Sequence, residues 1–372
     1  MRSTVVIRRL ALPLWLSVVQ AASAQDGGKP ATPSRPASDP PPPPPPQAAP
    51  AFTLTFHGIL SGTFYVQDAE FGLGNGQKAE FVVDTLGRWV HGADVRNARL
   101  GVGIGAGEVM KGWRASGNVE IDFFGGFAAG GAFTSEQPQP RLRTAYVDLT
   151  GERTTLRLGQ DWALTLGNIP VSVSHIAFPL GYGPGGFIGW RFPQIRLIQK
   201  LSAPGATTTA GFQFAVLRGS WVDRPATIDD FSSGERSLLP QVEGRFDFGG
   251  KHRTGSWGLY AVGHVDRKRF KATPEDSSLT SWLGELGASL TAGRLTLLGN
   301  GYYGLGMGHH FASIIQFGRI KSWITTPMLR FKAGPYALGL EWLHNRTNIV
   351  GPAGAPRRLD GNQVGLSVRY DF

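Results

Sequence analysis

From residue 52 to the last residue, apolar and polar side chains alternate with a period of two in one segment after another. In the final stretch, Val364, Leu366, Val368, Tyr370 and Phe372 fall on one side, and Gln363, Gly365, Ser367, Arg369 and Asp371 on the other. Near the start, Phe52, Leu54, Phe56, Leu60, Phe64 and Val66 alternate with Thr53, Thr55, His57, Ser61, Thr63 and Gln67. Trp113, Ala115, Val119 and Ile121 alternate with Arg114, Ser116, Asn118, Glu120 and Asp122, and Val242, Phe246 and Phe248 with Gln241, Glu243, Arg245 and Asp247. Successive side chains of a strand point to opposite faces, so each segment is predicted to be a strand with one apolar and one polar face. The last segment has the length of ~9–11 residues that one tilted strand needs to cross a bilayer.

Fourteen such strands are predicted, near 52–67, 94–105, 112–124, 141–149, 153–161, 190–200, 208–218, 238–248, 255–268, 281–291, 294–304, 322–332, 336–346 and 362–372. A further pair of strands hidden inside 68–93 or 305–321 would make sixteen. The connections alternate in length. Short turns are expected near Gly107, Thr150-Gly151-Glu152, Ala203-Pro204-Gly205, Gly249-Gly250, Ala292-Gly293 and Ala333-Gly334-Pro335. Long loops are expected near 68–93, 125–140, 162–189, 219–237, 269–280, 305–321 and 347–361. Short turns at one rim and long loops at the other predict an all-β fold, a transmembrane antiparallel up-and-down β-barrel with both termini periplasmic. Closure also removes the unpaired strand edges that lipid does not tolerate.

Composition supports this reading. The chain of 372 residues carries 52 glycines, 22 phenylalanines and 10 tryptophans, and its mean hydropathy is −0.11. A helical membrane protein is far more apolar, and a disordered secreted chain lacks the aromatics. Met1 to Ala24 reads as a secretory signal peptide, with Arg2, Arg8 and Arg9, an apolar run from Leu10 to Val19, and an Ala22-Ser23-Ala24 cleavage site. Its removal takes three arginines and no acidic residue, so the formal charge falls from +10 to +7. Residues 25–51 form a Pro-rich periplasmic linker, with an unbroken proline run from Pro40 to Pro46. Proline fixes φ and donates no ladder hydrogen bond, so the linker is expected as polyproline II or disordered chain. The barrel itself is assigned to 52–372. There are no cysteines, which excludes disulfides and thiolate chemistry. The basic residues are spread over strands rather than clustered, and the chain is exported, so nucleic acid is not expected as a partner.

If the apolar faces meet lipid, the opposite faces enclose water. That places Arg99, Arg114, Arg157, Arg245, Arg294, Arg330 and Arg369 inside, with Glu120, Asp122, Glu243, Asp247, Glu285 and Glu341. A packed core does not accept so many charges, whereas a wide barrel holds a water column between its walls. The pore-lining candidates are Arg99, Arg114, Arg157 and Arg245 on the basic side, with Glu120 and Asp122 opposing them. The alternative reading of these charges is that they pair across neighbouring strands and stiffen the wall. In 141–149, Arg141 and Arg143 share parity with Ala145, Val147 and Leu149. This predicts that the two arginines either lie beyond the apolar band or are covered by a neighbouring subunit. Residues 162–189 are the loop expected to carry function, folded inward as a constriction around His175, Phe178 and Tyr182.

Other motifs carry less. Gly101 to Gly107 is glycine-rich but precedes no helix, so a phosphate loop is not expected. His309-His310 has no carboxylates at ligand spacing, and no metal or other cofactor is anticipated. The triplet Asn345-Arg346-Thr347 has no meaning as a glycosylation site in a bacterial outer membrane. No Ser, His and acidic set forms a nucleophilic constellation, so the chain is not expected to be an enzyme, although hydrolases and structural or adhesive proteins also use barrels.

The segment from Arg141-Leu142-Arg143-Thr144-Ala145-Tyr146-Val147 through Gly159-Gln160-Asp161-Trp162, together with the hairpin rhythm and the terminal Phe372, resembles the bacterial trimeric porins, particularly the DcaP-like group. That resemblance implies a homotrimer of sixteen-stranded barrels, each with its own pore, the third loop folded inside and arginines opposite it. Phe372 also resembles the C-terminal assembly signal of outer-membrane barrels. The chain departs from the group in its directly read strand count and in its Pro-rich rather than helical N-terminal extension. The function expected is that of an outer-membrane porin, a diffusion channel in ion transport that passes small hydrophilic solutes with a weak preference for anions. Its partners are outer-membrane lipids, two further copies of the chain, the outer-membrane assembly machinery, and small anionic or polar solutes.

Overall fold

The computed structural model describes residues 52–72, 74–126, 138–169, 172, 190–219, 231–269, 278–293, 295–305, 307, 319–350 and 357–372. The signal segment 1–24, the linker 25–51, Arg294 and His309-His310 lie outside the described residues. The strands in chain order are β1 (Thr53–Phe71), β2 (Val82–Asp94), β3 (Arg99–Met110), β4 (Trp113–Asp122), β5 (Arg141–Thr150), β6 (Thr154–Trp162), β7 (Arg191–Lys200) and β8 (Thr208–Leu217). They continue with β9 (Gln241–His252), β10 (Gly255–Arg269), β11 (Ser278–Ala292), β12 (Leu295–Leu305), β13 (Arg319–Thr325), β14 (Met328–Ala333), β15 (Tyr336–Val350) and β16 (Arg357–Asp371). All sixteen belong to one antiparallel sheet.

The sheet bends into a barrel because β1 pairs with β16, in a register that sets Ile59 opposite Asp371 and Val66 opposite Val364. Sixteen strands make only fourteen staves. β2 runs along Thr63–Phe71 of β1 and β3 along Thr53–Ile59, so the two follow each other on the same side of β1 and break at 95–98. β13 and β14 likewise lie end to end along β15, separated at Thr326-Pro327. Proline has no N–H for the ladder, which ends β13 there. The hidden pair expected in 68–93 or 305–321 does not occur as a pair among the described residues: 68–93 holds one further strand, β2, which continues the stave of β3, and the sixteenth strand arises because the expected strand 322–332 is divided into β13 and β14. Among the described residues no ladder joins β12 to β13 or β14.

Two connections differ from expectation. The region 68–93 is mostly strand, because β1 extends to Phe71 and β2 begins at Val82. The expected turn at Gly107 is instead a bulge inside β3, with register shifts between Gly105 and Gly107, and the turn falls at Lys111-Gly112. Gly107 sits at φ 72°, a left-handed conformation that a bulge can require and glycine adopts without a Cβ penalty.

A second bulge resolves the parity of Arg141 and Arg143. Glu120 of β4 pairs with Thr144, yet Ile121 pairs with Leu142, so Arg143 is the extra residue of β5. One inserted residue inverts the alternation beyond it. Both arginines therefore turn to the acidic inner face of β4, where both reach Asp122 and Arg143 also reaches Glu120. Neither a position beyond the apolar band nor a covering subunit is needed to explain them.

Large apolar side chains stand exposed on the outer face, among them Phe56, Leu60, Phe64, Leu158, Phe246, Leu286, Leu338 and Val368. Aromatics gather at the two ends of this band. At the short-turn end Phe248 meets Trp257, Tyr336 meets Tyr370, and Tyr370 stacks on Phe372. Trp282 meets Tyr303 near the long-connection end. An apolar belt flanked by aromatic girdles is the outer surface of a transmembrane barrel. Buried apolar residues form patches on the inner side rather than one central core. One patch contains Phe71, Ala79, Val82 and Leu343, and another Ala163, Leu164, Phe192, Leu217 and Val262.

Candidate functional site

The chain that leaves β6 does not stay at the rim. Its first turn is fixed when the backbone N–H of Ala163 donates to the carbonyl of Trp190 at 2.7 Å. From there it crosses the barrel interior. Leu164 N–H donates to Glu243 of β9 at 2.5 Å, and the Arg245 guanidinium donates back to the carbonyls of Leu164 and Leu166 at 3.1 and 3.0 Å. Asn168 then exchanges two hydrogen bonds with Asn300 of β12, and its side-chain amide donates to the carbonyl of Ala288 of β11. Ser172 reaches the carboxylate of Glu341 on β15 at 2.9 Å. Anchors on β9, β11, β12 and β15 mean that this segment spans much of the interior. The constriction residues named from sequence, His175, Phe178 and Tyr182, lie outside the described residues.

The wall behind the loop is polar and pre-organised. Glu243 accepts from Leu164 with one oxygen and lies 2.9 Å from His264 Nδ1 with the other. Lys268 bridges Asp266 at 2.7 Å and the Ser281 hydroxyl at 2.6 Å. Tyr260 Oη donates within 2.6 Å of Glu285 and also lies 2.8 Å from Asn300, so the loop clamp and the wall share one network. Buried polar groups that are satisfied in this way rigidify their surroundings. A second inward connection, described over residues 74–81, covers the inner face of β1. Gln77 is fully buried there, donating to Ser61 and Thr63 and accepting from Asn97 N–H, while Gln363 donates to the Gly76 carbonyl.

Cross-strand ion pairs cover the remaining wall. Arg157 contacts Asp148 and Asp161 at 2.8 and 2.5 Å and stacks over Tyr146. Arg196 lies 3.4 Å from Asp161 and donates to the carbonyl of Trp162. Arg245 pairs with Asp247 at 2.8 Å over the Tyr260 ring. Arg143 joins Glu120 and Asp122, as described above.

The sequence-named residues therefore divide. Arg99, Arg157 and Arg245 face the interior by strand alternation, and Glu120 and Asp122 lie on the same inner face. Arg157, Arg245, Glu120 and Asp122 are engaged in pairs, whereas Arg99 has no ion pair among the described residues. Arg114 stands exposed at the short-turn end of β4, opposite Thr150, away from the loop. Sequence reasoning missed the loop anchors Tyr260, His264 and Asn300, although the alternation of Tyr260, Val262, His264, Asp266 and Lys268 carries the signal for most of them. Nothing in the sequence marks Gln77 as a residue that turns inward.

On the short-turn side of the loop a cavity of about 640 Å³ is lined by Arg153, Lys200, Arg245, Asp247, Tyr260 and Asn168, with Glu152 beside Arg153. Its charged lining holds three cations and two carboxylates. Among the described residues no cluster of three or more His, Asp or Glu side chains is placed to hold a metal ion.

No protein-family model matches the chain, and no curated protein does. Among solved structures the chain is similar to the outer membrane channel DcaP of Acinetobacter baumannii, at 16% identity over 87% of this chain and 98% of that one, with a TM-score of 0.60. It also matches a loop L8 deletion mutant of OmpT, an outer membrane protein of Vibrio cholerae, at 11% identity over 87% and 100% of the two chains with a TM-score of 0.45. OmpF of Salmonella typhi matches at 9% identity over 87% and 98%, with a TM-score of 0.43. What the chain shares with the DcaP channel at this identity is the fold, an outer-membrane β-barrel.

Proposed function

We propose that this protein is an outer-membrane diffusion channel for small hydrophilic solutes, with a weak preference for anions. The observation that carries the reading is that residues 163–169 and Ser172 lie across the interior, hydrogen-bonded to Glu243, Arg245, Asn300 and Glu341. A loop so anchored narrows a water-filled lumen without depending on its own packing. The cavity beneath it, with Arg153, Lys200 and Arg245 against Glu152 and Asp247, supports a small excess of positive potential along the path. Among the charges named from sequence, Arg245 supports anion passage at the loop, and Arg99 adds an interior cation without a carboxylate partner among the described residues. Arg157, Glu120 and Asp122 serve mainly as wall braces.

In this reading the signal peptide 1–24 is removed, the linker 25–51 lies in the periplasm, and the short-turn rim faces the same side. Three copies assemble, and Phe372 presents the terminal strand to the assembly machinery. Purified mature protein reconstituted in a planar bilayer is expected to insert with stepwise conductance, in groups of three where trimers insert intact. In a salt gradient the reversal potential is expected to show modest anion selectivity. Silence in the bilayer from correctly folded protein refutes the channel, and clear cation selectivity refutes the anion preference alone.

A further inference from the structure

At the long-connection rim, on the outer side of the barrel, β5, β6, β7 and the end of β8 enclose a notch of about 150 Å³. Strand alternation places Leu142, Gln160, Pro193 and Arg191 on the outward side, since Phe192, Gln194 and Arg196 are the buried inner residues of β7. Arg191 is 7% exposed. Its guanidinium lies 4.9 Å from the Trp162 ring and 5.0 Å from the Trp190 ring. Ring contacts engage the faces of a guanidinium and leave its in-plane N–H donors to find acceptors elsewhere. Here Nη1 is buried and has no hydrogen-bond partner among the described residues. A buried donor on a charged group is costly when left unmade.

The surrounding charge points to the missing acceptor. Arg191 shares its field with Arg99, Arg141, Arg143 and Asp122. Asp122 and Glu120 are already taken up by Arg141 and Arg143. Arg99, Arg141 and Arg143 lie on the inner face with Glu120 and Asp122, so the unmatched charge at the notch itself is that of Arg191. Arg218, which also lines the notch, is matched by Glu235 at 2.6 Å. At about 30 Å³ per water, the notch has room for about five waters, which suits one tetrahedral oxyanion and leaves whatever carries it outside. An oxyanion matches that charge, and the planar fork of Arg191 suits phosphate geometry.

We propose that this notch binds a phosphate monoester, with Arg191 as its principal ligand and Gln160 at its edge. The outer surface at the level of the Trp rim is where the headgroup of a phosphorylated glycolipid would sit if the barrel is oriented as proposed above, and on that orientation the lipid source rests. A soluble phosphate ester offers the same chemistry from solution.

The test uses the full mature protein in detergent, its Arg191→Gln variant and Arg191→Lys as a conservative control. Inorganic phosphate, a soluble sugar phosphate, a phosphorylated glycolipid and the same glycolipid after dephosphorylation are titrated, with bound lipid followed by native mass spectrometry. Wild type is expected to bind a phosphorylated probe at least about tenfold more tightly than R191Q, with R191K between them and bilayer conductance equal in all three. Preference for the glycolipid over the sugar phosphate assigns the lipid source, and equal binding of both assigns a free ester. Failure of wild type to bind any phosphorylated probe, or unchanged binding by a correctly folded R191Q, overturns the site. Conductance is recorded separately, so loss of the channel reading and loss of this one are distinguishable.

Discussion

Leu164 and Glu243 stand 79 positions apart in the chain, and the backbone N–H of the first donates to the carboxylate of the second at 2.5 Å across the barrel interior. Glu243 is fully buried and holds His264 with its other oxygen, so one side chain ties the loop to two strands of the wall. Glu243→Ala removes the acceptor from a buried amide and from the imidazole together. Losses of this kind cost about 1–3 kcal/mol per unsatisfied group. The expected outcome is a loop with more freedom, seen as noisier and larger single-channel conductance, and a lower melting point in heat-modifiable gel mobility. Glu243→Gln keeps an oxygen for Leu164 and is expected to fall between wild type and alanine. Equal noise in wild type and Glu243→Ala would refute the tether.

Gly167 lies against the wall where a side chain would meet three side-chain ends. A Cβ at this position would lie 2.6 Å from Tyr260 Oη, 2.7 Å from Asn300 Nδ2 and 2.8 Å from Glu285 Oε1. These are side-chain ends, so Gly167→Val shifts them instead of unfolding the barrel, at a cost of about 1–3 kcal/mol for overpacking. The displaced groups are those that clamp Asn168, so the loop moves further into the lumen. Conductance is expected to fall while the fraction of folded protein stays within a few per cent to tens of per cent of wild type, on the order expected for a loss smaller than total stability. A conductance at or above the wild-type level would show that the loop does not lie where Gly167 places it.

The fourteen staves were legible in the sequence because period-two patterning depends only on local alternation, as in Val364 to Phe372. The bulge at Arg143 was not. Parity reading assumes an unbroken ladder, and an extra residue leaves no trace in composition, only the odd sight of two arginines among apolar neighbours. β2 was not read directly because Asp84, Thr85, Gly87 and Arg88 interrupt its alternation. At the lumen, the inward turn of the third long loop follows from family resemblance and not from residue chemistry. The structure supplies its anchors through pairs such as Asn168 with Asn300, which are 132 positions apart and invisible to any local pattern.

Glu235 gives the connection between β8 and β9 an acid-sensitive fastening. The Arg218 guanidinium, joined by the N–H and hydroxyl of Ser232, holds its carboxyl down to about 2 from the usual 4.5. A depressed carboxylate contributes order above its unfolded value and loses it as pH falls through its folded value, so the window is about 4.5 down to about 2. The exposed Leu238-Leu239 pair lies just beyond this turn, with Leu238 at φ 61°. Pepsin cleavage there should be slower in wild type than in Glu235→Gln at pH 4.5, and the two rates should converge near pH 2. Taking the ratio cancels the protease's own pH dependence. A ratio of one at pH 4.5 would remove the fastening.

Phe372 seats the end of the chain on β1 by docking on a glycine. Its backbone exchanges two hydrogen bonds with Gly58, at 3.0 and 3.2 Å, and its ring lies where a Gly58 side chain would be, 2.7 Å from an added Cβ. The same Cβ would meet the Arg99 carbonyl oxygen at 2.3 Å, a backbone contact that no rotamer relieves. The two ends of this contact therefore predict different failures. Phe372→Ala leaves the ladder bonds in place and removes the ring with its stack on Tyr370, worth about 1 kcal/mol. Its main effect is expected on the yield of assembled barrel in cells, with the melting point of what does assemble little changed. Gly58→Ala forces β1 away from β3 and from the chain end together, so it should lower the melting point of refolded protein in detergent as well. If Gly58→Ala refolds with wild-type stability, the terminal strand does not seat on β1 in this register.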